Sequence, residues 1–163
     1  MEAVECARLS IWHFEVGGEL QGMRCSWAKH RDEPLVDDAE VITAPAYTSY
    51  FTELAINGYF VSNDVESDER LKAMRESYLM KHGIRATLDV PIGINGRAYW
   101  LVCCEQLRGP HTWPTNHVVI ARQLCARAGL LISRLLDVRL TDLQSVPFPS
   151  EVSLLPSMQK GSD

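Results

Sequence analysis

The chain has 163 residues, 46% of them apolar, and a formal net charge of −5. That length suits one domain with its own hydrophobic core. The acid excess and the lack of a basic block argue against a nucleic-acid face, and no apolar run approaches the ~18 residues that a membrane helix needs. The opening MEAVECARLS carries two acids and no basic region before an apolar core, so it does not read as a secretory signal. A cytoplasmic setting is expected. The five cysteines, Cys6, Cys25, Cys103, Cys104 and Cys125, are odd in number and include no C-x-x-C pair. They read as small apolar residues of a reduced protein.

Residues 7–15 (ARLSIWHFE) are rich in β-branched, aromatic and apolar types and predict a strand. Gly17 and Gly18 supply a turn, and residues 19–28 predict a weaker second strand, giving a hairpin. Residues 29–46 carry charge and two prolines and read as a long loop of the kind that covers a binding site. Residues 47–57 space Tyr47, Tyr50, Phe51, Leu54 and Ala55 as a helix does, and Asn57-Gly58 ends it. Tyr59 to Ser62 predict a short strand. Asp68 is placed to cap a helix over 69–82 whose buried stripe is Leu71, Met74, Tyr78 and Leu79 and whose stop is Gly83.

Residues 85–93 predict a strand, Asn95-Gly96 a two-residue hairpin turn, and residues 97–105 its partner. The partner, RAYWLVCCE, is apolar on both faces, which predicts a place near the sheet centre, with Cys103 and Cys104 facing opposite sides. Thr115 to Leu140 predict one long helix with a wide apolar stripe of Val118, Ala121, Cys125, Ala128, Ile132 and Leu135, broadened by Leu124, Leu131 and Val138. A stripe this wide faces a sheet and a second chain. The segment 141–163 has three prolines and several serines and reads as a disordered tail after a single domain at 1–140.

Several strings resemble the GAF family of sensory domains, in particular those of bacterial sensor kinases. They are RLSIWHF at 8–14, NDVESDER at 63–70, YLMKHGIRATLDVPI at 78–92 and LVCCEQLRGPHTWP at 101–114. The resemblance covers about residues 6–138. It implies an α+β fold with an antiparallel sheet of five to six strands in the order 2-1-5-4-3 and helices on both faces. It also implies a ligand pocket on the face away from the terminal helices. The implied role is a regulatory module in signal transduction that binds a small molecule or homodimerises through the long helix. Its effector would be a histidine kinase or a cyclase. The sequence departs from the family pattern where the helix before the first strand is truncated, where no effector domain follows, and where Tyr99 and Trp100 replace a small residue.

The resemblance also frames the chemistry. The Asn-Lys-Phe-Asp-Glu signature of cyclic-nucleotide-binding relatives is not placed here. Bilin-binding relatives use a Cys near the third helix, and no Cys lies between Cys25 and Cys103. Haem-binding relatives use a His before the strand that ends in V-P. His82 lies close by, but the end of a helix already suits an imidazolium. No zinc-type His spacing is present, and the identity of any cofactor is left open. A thiol-dependent alternative, resembling the enzymes that reduce free methionine sulfoxide, would use Cys25, beside Arg24, Lys29 and His30, or Cys103. The leading expectation is a non-enzymatic module, with a ligand-free interaction domain that docks on a separate kinase or cyclase as a further alternative. The module's candidate ligand-binding residues are Trp27, Tyr50, Phe51, Asp64, Tyr78, His82 and Thr87. Asp89, a carboxylate in a central strand, requires a partner, for which Arg85, Arg97 or backbone N–H groups are available.

Overall fold

A computed structural model of the chain describes residues 2–15, 22–30, 41–43, 47–94, 96–136 and 146–147. A 3-10 turn at Glu2–Val4 precedes β1 (Arg8–Glu15) and β2 (Gly22–His30). Then come β3 (Val41–Thr43), α1 (Thr48–Asn57) and β4 (Phe60–Ser62). A composite helix follows: a 3-10 turn at Glu69–Leu71, one α turn (α2, Lys72–Met74) and a π segment at Arg75–Leu79. The described chain closes with β5 (Ala86–Ile94), β6 (Arg97–Gln106), α3 (Thr115–Leu136) and β7 (Val146–Pro147).

The strands form one antiparallel sheet in the order β3-β2-β1-β6-β5-β4, with β7 on β6. For the five strands expected from sequence this is the order 2-1-5-4-3. β6 lies between β1 and β5, and helices cover both its faces: Leu101 and Cys103 enter one core cluster and Cys104 the other. The β5–β6 hairpin closes with Ile94 opposite Arg97, and Gly96 takes φ 78°, which a side chain would disfavour; Asn95 of the expected turn lies outside the described residues.

One face of the sheet carries Trp12, Phe14, Leu101 and Cys103 and packs under α1 and the composite helix through Tyr50, Leu54, Leu71, Met74 and Tyr78. The other face carries Leu88, Val90, Ile92 and Cys104 and packs under α3 through Ala121 and Cys125. α3 comes so close to β5 that a Cβ on Gly129 would lie 2.4 Å from the carbonyl oxygen of Gly93. Only a residue without a side chain allows that approach.

Three expectations are corrected. The segment 29–46 is not all loop: Lys29 and His30 continue β2, and Val41–Thr43 pairs with Gly22–Arg24 as an edge strand. Two β-branched residues flank a buried Ile42 there, which favours an extended edge over a loop. The rest of that segment lies outside the described residues, as do residues 137–140 of the expected long helix.

The helix expected over 69–82 is irregular. Met80 N–H donates to Arg75 O at 2.8 Å, five residues back, and this widened turn carries Tyr78 and Leu79 together into the core. The tail expected to be disordered contributes β7: Arg97 faces Pro147 and Ala98 faces Val146. β1 pairs with β6 only from Trp100 onward, which leaves the first residues of β6 with an open edge for β7 to take. The remainder of 141–163 lies outside the described residues.

Candidate functional site

The sheet register builds a polar row where an apolar core would be simplest. Arg8 on β1 faces Glu105 on β6, Glu105 faces Thr87 on β5, and Thr87 faces Ser62 on β4. One pair along, Ser10 faces Cys103, Cys103 faces Asp89 and Asp89 faces Phe60. Strand alternation puts both rows on the face covered by α1 and the composite helix. All of Arg8, Ser10, Ser62, Thr87, Asp89 and Glu105 are buried.

Two neighbouring networks engage these groups except Ser62, whose buried hydroxyl belongs to neither. In the first, Arg8 Nη1 makes an ion pair with Glu105 Oε2, their side chains 1% and 2% exposed, and donates to the Tyr78 hydroxyl at 3.1 Å. Ser10 Oγ lies 3.5 Å from the same Glu105 oxygen and accepts from Trp12 Nε1 at 3.0 Å. Trp12 in turn packs edge-on against Tyr78, with ring centroids 5.1 Å apart. In the second, Asp89 accepts from the Tyr50 hydroxyl at 2.7 Å, from Thr87 Oγ1 and from the Cys103 thiol. The partners of Asp89 are thus neutral hydroxyls and a thiol rather than Arg85 or Arg97. Arg85 points away, to Glu66 at 2.9 Å and Asp64 at 3.6 Å.

The guanidinium of Arg8 pairs with Glu105, Asp89 has neutral donors, and the electrostatics follow. Burial pushes the Asp89 acid up to about 6 against the pull of its three donors. Burial raises Glu105 as well; Arg8 opposes that rise and Asp89 adds to it. Burial works against the Arg8 charge, but Glu105 and Tyr78 outweigh it and the guanidinium stays firmly protonated. The Tyr50 and Tyr78 hydroxyls are raised, chiefly by burial, and so remain donors. Asp89 therefore takes up a proton at a higher pH than a free carboxyl does, and two aromatic hydroxyls, of Tyr50 and Tyr78, bind the cluster.

Of the candidate residues, Tyr50, Tyr78 and Thr87 meet in this cluster. Phe51 is half-buried at its margin, 5.3 Å from the Tyr50 ring and 6.4 Å from Phe14. His82 packs against the Tyr78 ring from the turn after the π segment, with centroids 4.6 Å apart and planes tilted by 44°. Asp64 does not join them: it shapes its own loop by accepting from Glu66 N and Ser67 Oγ. Trp27 does not join them either. A bulge sets Trp27 opposite Ile11 and Cys25 opposite Trp12, so Cys25 enters the cluster's core and Trp27 does not.

Sequence reasoning missed Arg8, Ser10 and Glu105. Strand parity held the signal: positions 8, 10, 12 and 101, 103, 105 share a face, and opposite charges stand at 8 and 105. Asp68 caps the composite helix as expected, accepting from Arg70 N at 3.1 Å. Among the described residues, no group of His, Cys, Asp and Glu is placed to hold a metal ion. Among them, too, no helix is long and apolar enough to cross a membrane.

No family model matches the sequence, and no curated protein is similar to it. Solved structures are similar in fold. The blue-light-absorbing form of the PixJ GAF domain from Thermosynechococcus elongatus superposes with a TM-score of 0.70 at 19% identity, covering 86% of this chain and 82% of that one. A far-red cyanobacteriochrome photoreceptor gives 0.65 at 13% identity, over 82% and 80%. The GAF domain of a two-component sensor histidine kinase from Bacillus halodurans gives 0.60 at 14% identity, over 82% and 86%. The chain has the GAF-domain fold.

Proposed function

We propose that the chain is a cytoplasmic regulatory module that pairs with a second copy through α3 and passes a conformational signal to an effector such as a histidine kinase or a cyclase. The reading draws on fold-level analogy with the sensor-kinase and photoreceptor domains. One observation in the chain itself carries it. α3 is pinned to β5 at Gly129 while Leu124, Leu131 and Leu135, at steps of seven and four, remain 49%, 57% and 81% exposed. Such spacing lines one edge of a helix and suits a two-stranded seam. A helix gripped by the central sheet and shared between copies would transmit small shifts of the sheet.

Light scattering on the purified chain tests this. A dimer is expected for the unaltered protein, and a monomer of unchanged fold for Leu131→Glu. A monomer at high concentration in the unaltered protein would refute it.

Binding of a small molecule at Tyr50, Phe51, Tyr78, His82 and Thr87 is the second reading. Aromatic walls over a few convergent polar groups favour it. Here Tyr78 and Tyr50 already occupy those groups, so a ligand must move them, and the π segment that carries Tyr78 is the element suited to yield. A thermal-shift screen of small metabolites should find a stabiliser whose effect is lost in Thr87→Val; no shift with any of them would leave the cluster a packed core. The chain lacks a Cys between Cys25 and Cys103, so attachment of a bilin at the composite helix is not proposed. Catalysis by Cys25 or Cys103 is disfavoured, since both are buried and burial raises the Cys103 thiol.

A further inference from the structure

The α3 side of the sheet holds a second thiol arrangement that the polar cluster does not use. Cys6 and Cys104 are both free and buried, and both belong to the core under α3. Their thiols are hydrogen-bonded to each other. The backbone fixes the two segments side by side: Ala7 N–H donates to Glu105 O at 2.9 Å, and Gln106 Nε2 donates to Glu5 O at 2.7 Å. Cys6 lies just after the Glu2–Val4 turn, whereas Cys104 lies in the central strand.

Cys6 is buried directly after that single turn, which is anchored by buried Val4 and by packing against α3. Glu5, between Val4 and Cys6, holds φ at 52°, a left-handed conformation that a residue with a side chain adopts under strain. Release of the turn would relieve Glu5 and free the chain on the N-terminal side of Cys6, while Cys104 is held in β6 between β1 and β5.

We propose that Cys6 and Cys104 are a redox pair, which an external disulfide converts to an intramolecular disulfide tying the Glu2–Val4 turn to β6. Cys6 is the attacking thiol and Cys104 the resolving one. The hydrogen bond from Cys104 is the largest influence on Cys6 and lowers its thiol to about 7, while Cys104 itself is raised.

The Cys6 thiolate attacks one sulfur of the external disulfide, forms a mixed disulfide and expels the first thiolate. Cys104 gives its proton to that thiolate, and its sulfur attacks Cys6 Sγ and expels the second thiolate, which takes up the proton that Cys6 lost. Two cysteines are oxidised and one external disulfide is reduced to two thiols. Among the described residues the one other buried thiol on this face, Cys125, competes less well: burial raises it to about 11 and it donates to Val90 O at 3.8 Å. The inference stands apart from the regulatory reading and does not rest on it.

The test titrates the full reduced chain with glutathione disulfide, followed by acid quench, intact mass and peptide mapping. The expected product has lost two hydrogens and links the Cys6 and Cys104 peptides. Cys104→Ser is expected to stop at one glutathione on Cys6, and Cys6→Ser to give neither product. A link between any other pair, or full retention of both thiols at a large excess of glutathione disulfide, overturns the proposal. Cys104 is a core residue, so a measurement without a variant stands beside these. In the native reduced protein, iodoacetamide should modify Cys6 before any other cysteine, with a rate that rises through about pH 7. First modification at Cys25, Cys103 or Cys125 overturns it.

Discussion

Asp89→Asn isolates the cost of the second carboxylate in the cluster. Asp89 is fully buried without a cation of its own, and its acid lies near 6 in the fold against 3.8 for the free side chain. That difference corresponds to about 3 kcal/mol, from ~1.4 kcal/mol per pH unit. The folded state holds the Asp89 proton more tightly than the unfolded chain does. Its contribution to stability is therefore complete below about pH 4 and lost as pH rises through about 6. Asn keeps the shape and an acceptor for Tyr50 but cannot ionise. Relative to the native protein, the variant should therefore gain about 3 kcal/mol between pH 3 and pH 8, most of it between pH 4 and pH 6. Urea denaturation of both proteins across that range measures it, and a gain of this size moves the relative midpoint by about 1–3 M. A difference that does not change with pH would refute the reasoning, because it would mean that the fold leaves the Asp89 proton held as in the unfolded chain.

Other outcomes follow from the same geometry. Glu105→Gln leaves a buried, permanently charged Arg8 and should cost about 3–5 kcal/mol. Adding Arg8→Met should restore much of it, and a denaturant-based double-mutant cycle reads the coupling; additive losses would contradict the ion pair. Tyr50→Phe removes a donor from Asp89 and should cost about 1–3 kcal/mol at pH 8, and less at pH 4, where the carboxyl is protonated; urea unfolding at the two pH values checks it. Gly129→Ala places a methyl group 2.4 Å from Gly93 O, so α3 must shift and the protein should lose about 1–3 kcal/mol in a thermal melt. Gly109→Ala, which meets nothing within 4 Å, should not.

The hairpin at Asn95-Gly96, the central place of β6 and the caps at Gly58 and Asp68 were legible, because each rests on a local rule: a turn dipeptide, an apolar run, a left-handed glycine, a capping carboxylate. The candidate site was legible only in part. Tyr50, Tyr78 and Thr87 were found from their types, but the groups they bind were not. Arg8 sits at the start of β1 and Glu105 near the end of β6, and only the register between two strands 97 residues apart makes them partners. Trp27 was misplaced because the bulge beside Ile11 leaves no mark in the sequence that alternation could use. β3 and β7 are short edge strands whose pairing depends on which partner edge is open, a tertiary fact. The π segment reflects the need to bury Tyr78 and Leu79 side by side, which spacing on an ideal helix does not reveal.

Pairing through α3 is tested most directly by cross-linking at single positions on its surface. A two-fold seam along Leu124, Leu131 and Leu135 brings the two copies of residue 131 together, whereas residue 126 lies about 140° around the helix from it. Leu131→Cys should form a covalent dimer under mild oxidation and Ala126→Cys should remain a monomer on a non-reducing gel. Equal cross-linking at both positions, or none at residue 131, would contradict the account.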